Sequence, residues 1–77
     1  MNSQVLVGHC AIAAPFAGIA TLLVQPGQQV HAGAPVAIIE AVKMQAPVTA
    51  PRDGNVAEVL VPDGGTVVGG DPLLVIA

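Results

Sequence analysis

Short apolar runs alternate with breaks centred on glycine or proline along almost the whole chain. Cys10 to Ala14 reads as a strand, Pro15 to Gly18 as a turn, and Ile19 to Val24, β-branched and aliphatic, as a second strand. Gln25-Pro26-Gly27 is a turn signal, because proline presets φ at one central position and glycine accepts positive φ at the next. Val30 is expected to be a buried contact. Gly33-Ala34-Pro35 turns again, and Pro35 can open a strand because a first residue need not donate to the ladder. Val36 to Glu40 is the next strand. Gln45 to Ala50 then carries the chain to a turn at Pro51-Arg52-Asp53-Gly54. Asn55 to Val61 alternates, which places Val56, Glu58 and Leu60 on one face and Ala57, Val59 and Val61 on the other. Pro62 to Gly65 and Gly69 to Pro72 turn, and Leu73 to Ile76 closes the sheet. At the start, Val5-Leu6-Val7 is a short candidate strand within an N-terminal extension over residues 1–8. No window has a helical period.

The pattern repeats. Ala14-Pro15-Phe16-Ala17-Gly18 matches Ala50-Pro51-Arg52-Asp53-Gly54, and the correspondence continues through Pro26/Pro62, Gly27/Gly64, Val30/Val67, Gly33/Gly70, Pro35/Pro72 and Ile39/Ile76. One added residue near Asp63 keeps the halves in step. Two copies are too few for a solenoid. They predict a single all-β domain over residues 1–77, a flattened barrel or sandwich of two antiparallel sheets related by a pseudo-twofold axis. The crossover between copies is Ala41-Val42-Lys43-Met44, expected to be a tight hairpin at one end, with both termini near the other. Its residues suit that turn poorly. Favoured two-residue hairpins take Asn-Gly or Asp-Gly, and a β-branched Val42 resists positive φ. Such a local conflict often marks a functional site.

Composition narrows the class. Hydrophobic residues make up 53% of the 77 and aromatic residues 1%, so the core must be built of Val, Ile, Leu and Ala, with Phe16 as its one ring. Nine glycines and seven prolines suit short strands and tight turns rather than long helices. The formal charge of −3, with Lys43 and Arg52 as the fixed side-chain cations, argues against nucleic acid and against a basic membrane anchor. Cys10 to Val24 is apolar but too short to span a bilayer and is interrupted by Pro15 and Gly18. Met1-Asn2-Ser3-Gln4 lacks the basic start of a signal peptide. A single cysteine, Cys10, fits a reducing compartment. These features together predict a cytoplasmic protein.

The six residues Glu40-Ala41-Val42-Lys43-Met44-Gln45 carry the sole lysine. Set between two such half-repeats, they resemble the Glu-Ala-Met-Lys-Met signature of biotinyl domains, the carrier modules of biotin-dependent carboxylases. The likeness runs from about Ala11 to Ala77 and includes the Ala-Pro-x-x-Gly and Gly-x-Pro turns. Three things follow from the resemblance. The fold is a barrel-sandwich hybrid. Lys43 is the residue acylated by biotin. Glu40, Ala41, Val42 and Met44 form the recognition hairpin around it. Val42 departs from the family, which usually has Met there. Lipoyl domains share the fold but usually read Asp-Lys-Ala at this place, so biotin is the expected group and lipoate the alternative. The implied partners are a biotin protein ligase, a biotin carboxylase and a carboxyltransferase; the domain itself is a non-catalytic carrier whose swinging arm moves carboxylate between the last two. A third reading is an unmodified barrel-sandwich assembly module. The bacterial acetyl-CoA carboxylase carrier typically inserts a thumb between early strands, and the short Gln25–Val30 connection leaves no room for one. That leans toward an acyl-CoA or keto-acid carboxylase.

Attachment chemistry is consistent with these residues. An amine attacks an acyl adenylate only when deprotonated, and lysine amines in water are mostly protonated near neutrality. A ligase can supply desolvation and a base; the carrier need only present the amine on a rigid hairpin. The other chemistry-bearing residues make no constellation. His9 and Cys10 are adjacent and would face opposite ways on a strand. With His31 they do not make a zinc site. Ser3 is the only serine, in the terminal stretch, which excludes a serine triad. Gly64-Gly65 and Gly69-Gly70 precede no helix and read as turn glycines. Arg52 and Asp53 are expected to serve a turn, Glu40 to keep the tip soluble, and Met44 to pack as well as to be recognised.

Overall fold

The turn glycines dictate where the chain reverses. In the computed structural model, which describes residues 9–77, the glycines with positive φ are Gly27 (90°), Gly33 (85°), Gly64 (83°) and Gly70 (90°). They are the repeat pairs Gly27/Gly64 and Gly33/Gly70. Each is the third residue of a turn closed by a backbone bond: Gln28 N–H to Gln25 C=O at 3.1 Å, Ala34 to His31 at 2.9 Å, Gly65 to Pro62 at 2.9 Å and Asp71 to Val68 at 3.1 Å. Positive φ at that position is the mark of a type II turn. Pro26 takes the second position of its turn as expected. Pro62 does not, because the added residue moves Asp63 into that place.

Between the turns run eight strands: β1 Cys10–Ala13, β2 Gly18–Leu22, β3 Gln29–Val30, β4 Pro35–Ala41, β5 Met44–Thr49, β6 Gly54–Val59, β7 Thr66–Val67 and β8 Pro72–Ile76. They form two four-stranded antiparallel sheets, ordered β1-β8-β6-β3 and β5-β4-β2-β7. Replacing each strand by its repeat partner turns one order into the other, as a pseudo-twofold axis requires. The all-β, two-sheet fold read from the sequence is therefore correct. The two-residue strands β3 and β7 were not legible as strands, although Val30 and Val67 are buried as the pattern implied. The candidate strand at Val5–Val7 lies outside the described residues. Among those described, no helix is long and apolar enough to cross a membrane.

Neither half closes on itself. Only β2 with β4 and β6 with β8 pair inside a half; β1–β8, β3–β6, β2–β7 and β4–β5 all join one half to the other. The turns are exchanged too. Gly33 N–H donates to Ala50 C=O and Gly70 N–H to Ala14 C=O, both at 2.8 Å, while Gly27 donates to Val56 at 2.8 Å and Gly64 to Ala20 at 2.7 Å. Side chains extend the exchange. Asp63 Oδ1 accepts from Leu22 N–H at 2.8 Å and Asp53 Oδ1 from Ala32 N–H at 2.7 Å. Within the second half, Arg52 reaches the Ile76 carbonyl at 3.3 Å. Arg52 and Asp53 thus serve a turn, as expected, and also fasten it to distant backbone.

Between the sheets lies an aliphatic core in which Ala20, Val36, Ala37, Ile39, Leu73, Leu74 and Ile76 are fully buried, with Phe16 and Cys10 packed at its margin. One expectation about its lining fails. Strict alternation put Val56, Glu58 and Leu60 on one face. Instead Val56 is buried, Glu58 and Leu60 are exposed, and Val59 and Val61 pack against the core. The cause is a register shift between Val56 and Glu58 opposite Ile76 and Val75. A bulge of this kind inserts one unpaired residue and reverses the inward phase beyond it.

Two glycines act through proximity. A Cβ at Gly18 would lie 2.5 Å from the Glu40 carbonyl oxygen, and one at its repeat partner Gly54 would strike the Ala77 carbonyl oxygen and lie 2.6 Å from the Ile76 side chain. By contrast, a Cβ at Gly33 meets nothing. Two substitutions separate these costs by urea unfolding. Gly33→Ala is expected to lose about 1–2 kcal/mol from left-handed backbone alone. Gly54→Ala is expected to lose about 1–3 kcal/mol from overpacking. An unchanged midpoint in either variant would refute the corresponding account.

Candidate functional site

β4 and β5 form the hairpin that carries the sole lysine. Its root is fixed by burial: Ile39 is fully buried on β4 and Val48 nearly so on β5, in a ladder that pairs Ile39 with Ala46, Glu40 with Gln45 and Ala41 with Met44. Val42 and Lys43 alone connect the strands. No described residue other than glycine has positive φ, so both keep negative φ. This resolves the conflict seen in the sequence. The favoured hairpin turns need positive φ at the first central residue, and this tip does without it, so Val42 is not forced into a disfavoured region.

The tip stands clear of the body. Val42 is 97% and Met44 57% exposed, and Lys43, Glu40 and Gln45 are exposed as well. Lys43 has no hydrogen bond or ion pair to any described residue. Glu40 does not pair with it; its side chain is solvated and its carbonyl oxygen lies against Gly18. Met44 is more exposed than a packing role requires. The hairpin therefore presents one primary amine at the end of a short, well-rooted projection, flanked by apolar side chains. That arrangement suits acylation by an external enzyme, and an acyl arm attached there would meet no steric barrier.

Residues set aside in the sequence stay apart from this site. His9 and His31 are exposed and Cys10 is a free, half-buried thiol. His31 Nδ1 lies 3.9 Å from Asp53 Oδ1, both side chains largely in water. No group of described residues is arranged to hold a metal.

One feature beside the hairpin escaped the sequence reading. A shallow, mainly apolar groove of roughly 530 Å³ runs along Ala17, Ile19, Ala41, Val42, Thr66 and Val68. Ile19 and Val68 are exposed apolar side chains at 42% and 56%. The signal was present in the sequence as a difference between matched repeat positions: Ile19 faces Asn55 in the alignment, and Val68 faces His31.

Comparison with known proteins agrees with this geometry. A family model described as "Biotin-requiring enzyme" matches residues 10–76. Pyruvate carboxylase of Aspergillus niger is 36% identical over 61 residues, which are 78% of this chain and 5% of that protein. The Biotin/lipoyl attachment protein of Bacillus subtilis (strain 168) is 45% identical over 51 residues, covering 66% of this chain and 70% of that one. Among solved structures, a single-chain, multi-domain long-chain acyl-CoA carboxylase superposes with a TM-score of 0.82 at 40% identity, over 88% of this chain and 7% of that chain. The Kluyveromyces lactis urea carboxylase gives 0.80 at 31% identity, over 90% and 6%. The lipoyl domain of the 2-oxoglutarate dehydrogenase complex from Azotobacter vinelandii gives 0.68 at 28% identity, over 87% and 96%. The chain thus spans only a small part of the carboxylases it matches.

Exposure at the tip makes a direct prediction. Val42→Met and Lys43→Ala change side chains that contribute nothing to the core, so each should leave the urea midpoint within about 0.5 kcal/mol of the parent. A larger shift would mean that the hairpin tip is part of the folded core after all.

Proposed function

The chain belongs to the biotin/lipoyl attachment family, and we propose that it is a biotin carboxyl carrier whose Lys43 is acylated by biotin. The observation that carries this reading is the isolated Lys43 amine on a two-residue hairpin, set between Ala41-Val42 and Met44 at the centre of the repeat. Attachment forms an amide between Lys43 Nζ and the biotinyl carbonyl. The acyl–phosphate bond of biotinyl adenylate breaks, AMP leaves, and the amine gives up its proton. A biotin protein ligase would supply that base, because no described residue pairs with the amine. Glu40, Ala41, Val42 and Met44 offer the ligase an exposed edge to read.

Held on Lys43, biotin would supply a ureido nitrogen that can carry carboxylate between a biotin carboxylase and a carboxyltransferase. The chain's own contribution is mechanical. Ile39 and Val48 hold the root of the hairpin rigid, and the solvated tip leaves the arm free to reach two partners. Tethering keeps the cargo at high effective concentration near both. In this reading the domain binds and delivers, and the partners catalyse.

The acceptor we propose is an acyl-CoA or a keto acid. Support comes from the short Leu23–Gln28 connection between β2 and β3, which has no thumb, and from the likeness to acyl-CoA and pyruvate carboxylases. A free thiol at Cys10 accords with a reducing, cytoplasmic setting.

Intact mass after co-expression with a biotin protein ligase tests the assignment. One biotinyl group is expected on the parent and none on Lys43→Ala. A lipoyl group instead would move the chain to the lipoyl branch. A bare amine on folded protein, with Val42→Met equally unmodified, would favour an unmodified assembly module.

A further inference from the structure

The pseudo-twofold axis supplies an internal control for the groove beside Lys43. Its walls come from β2 and β7, paired through Gly18–Val67 and Ile19–Thr66. The repeat-related place is walled by β6 and β3, paired through Gly54–Val30 and Asn55–Gln29. The local strand pairing is the same in both, and the side chains are not. At the lysine end the positions read Ala17, Ile19, Thr66 and Val68; at the other end they read Asp53, Asn55, Gln29 and His31. Ala17 and Val68 line the apolar groove, whereas Asp53 and His31 approach to 3.9 Å as a solvated polar pair.

Both ends face water, so the fold does not require apolar side chains at either. Leaving Ile19 and Val68 exposed at 42% and 56%, next to Val42 at 97%, forgoes hydration that the matched positions obtain from Asn55 and His31. These side chains line one groove rather than lying scattered, which makes it a small apolar surface suited to a ligand rather than to a large partner. The groove is continuous with the attachment point, because Val42, which lines it, is bonded to Lys43.

We propose that this groove is a resting site for the group carried on Lys43, an apolar acyl arm ending in a bicyclic cyclic urea. The proposal rests on biotin being attached there. Three features fit that occupant. Acylation turns a cationic amine, which would not leave water for an apolar surface, into a neutral amide that can. Ile19, Val42 and Val68 match the hydrocarbon of the arm and the ring. Thr66 and Glu40 are the polar residues among those lining the groove, and a hydroxyl and a carboxylate can meet the C=O and N–H groups of a urea. The Val68 wall is itself fixed, since Val68 N–H donates to Asp71 Oδ2 at 2.9 Å. Because the ligand is tethered to an adjacent residue, weak contacts suffice to populate the docked state.

The test compares the unmodified and biotinylated 77-residue chain by amide and methyl NMR, after intact mass has established that Lys43 carries biotin. Expected are amide shift changes at Ile19, Thr66 and Val68, and through-space contacts from the ring protons to the Ile19 and Val68 methyls. The matched positions Asn55, Gln29 and His31 should not move. The double variant Ile19→Asn, Val68→His, which copies the other half of the repeat, should lose the amide shift change at the unaltered Thr66 while still being biotinylated. Changes confined to Val42 through Gln45 in the parent would overturn the resting site and leave the groove to a partner protein's surface. A Thr66 shift change that survives in the double variant would also overturn it. Failure to acquire biotin at all would instead be visible in the mass and would count against the carrier assignment.

Discussion

Closure of each half by the other is the constraint on which the molecule depends. A single half could pair β2 with β4 and nothing more. Its first strand, its last turn and its two-residue strand all find their partners in the other half. The donors that complete the exchange are turn glycines, Gly33 to Ala50 and Gly70 to Ala14. Positive φ at those glycines is therefore more than a local turn requirement, because it aims an N–H at the distant strand. A small aliphatic core of modest area is enough when the four inner strands β2, β4, β6 and β8 are each held on both sides in this way. The hairpin bearing Lys43 inherits its rigidity from the same arrangement. β4 is an inner strand of the first half, β5 an outer strand of the second, and the crossover between them is anchored at both ends.

Much of this was legible because glycine and proline act locally. Pro26-Gly27, Gly33 and Gly70 announce their turns through steric rules that operate within a few residues. The repeat then multiplied weak local signals by two. The lysine was legible for the same reason, as a unique residue at the only place where the repeat must cross over. What stayed hidden depends on neighbours distant in sequence. The two-residue strands β3 and β7 exist only because β6 and β2 lie beside them. The bulge after Val56 comes from register against β8, and nothing in Asn55 to Val61 reveals it. The turn at Val42-Lys43 looked unfavourable because the common hairpin turns need positive φ, whereas this one keeps negative φ throughout.

The groove was hidden for a different reason. Repeat matching searches for identity, and here the information lay in the mismatches. Once the backbone equivalence is established, the pairs Ile19/Asn55, Val68/His31 and Ala17/Asp53 become a comparison of side chains on one scaffold in two settings. At the polar end Asn55 and His31 are exposed, and Asp53 also accepts from Ala32 N–H, so the scaffold accommodates polar side chains at these positions. The apolar end departs from that baseline at adjoining positions, all on the side facing the lysine. A symmetric fold thus exposes an asymmetry of surface chemistry with no second protein needed for reference.

Val42 carries the argument one step further. At 97% exposure it adds no packing to the core, and an exposed valine offers water no hydrogen bond. A polar residue would serve the isolated fold at least as well there. Its neighbours in the hairpin divide into those the fold explains, Ile39 and Val48 at the root, and those it does not, Val42 and Met44 at the tip. Stability accounts for the first pair. The second pair lies outside the core, where the proposed arm on Lys43 and the enzymes proposed to load it would meet it. Valine here, where biotinyl domains usually have methionine, differs in shape and is equally apolar.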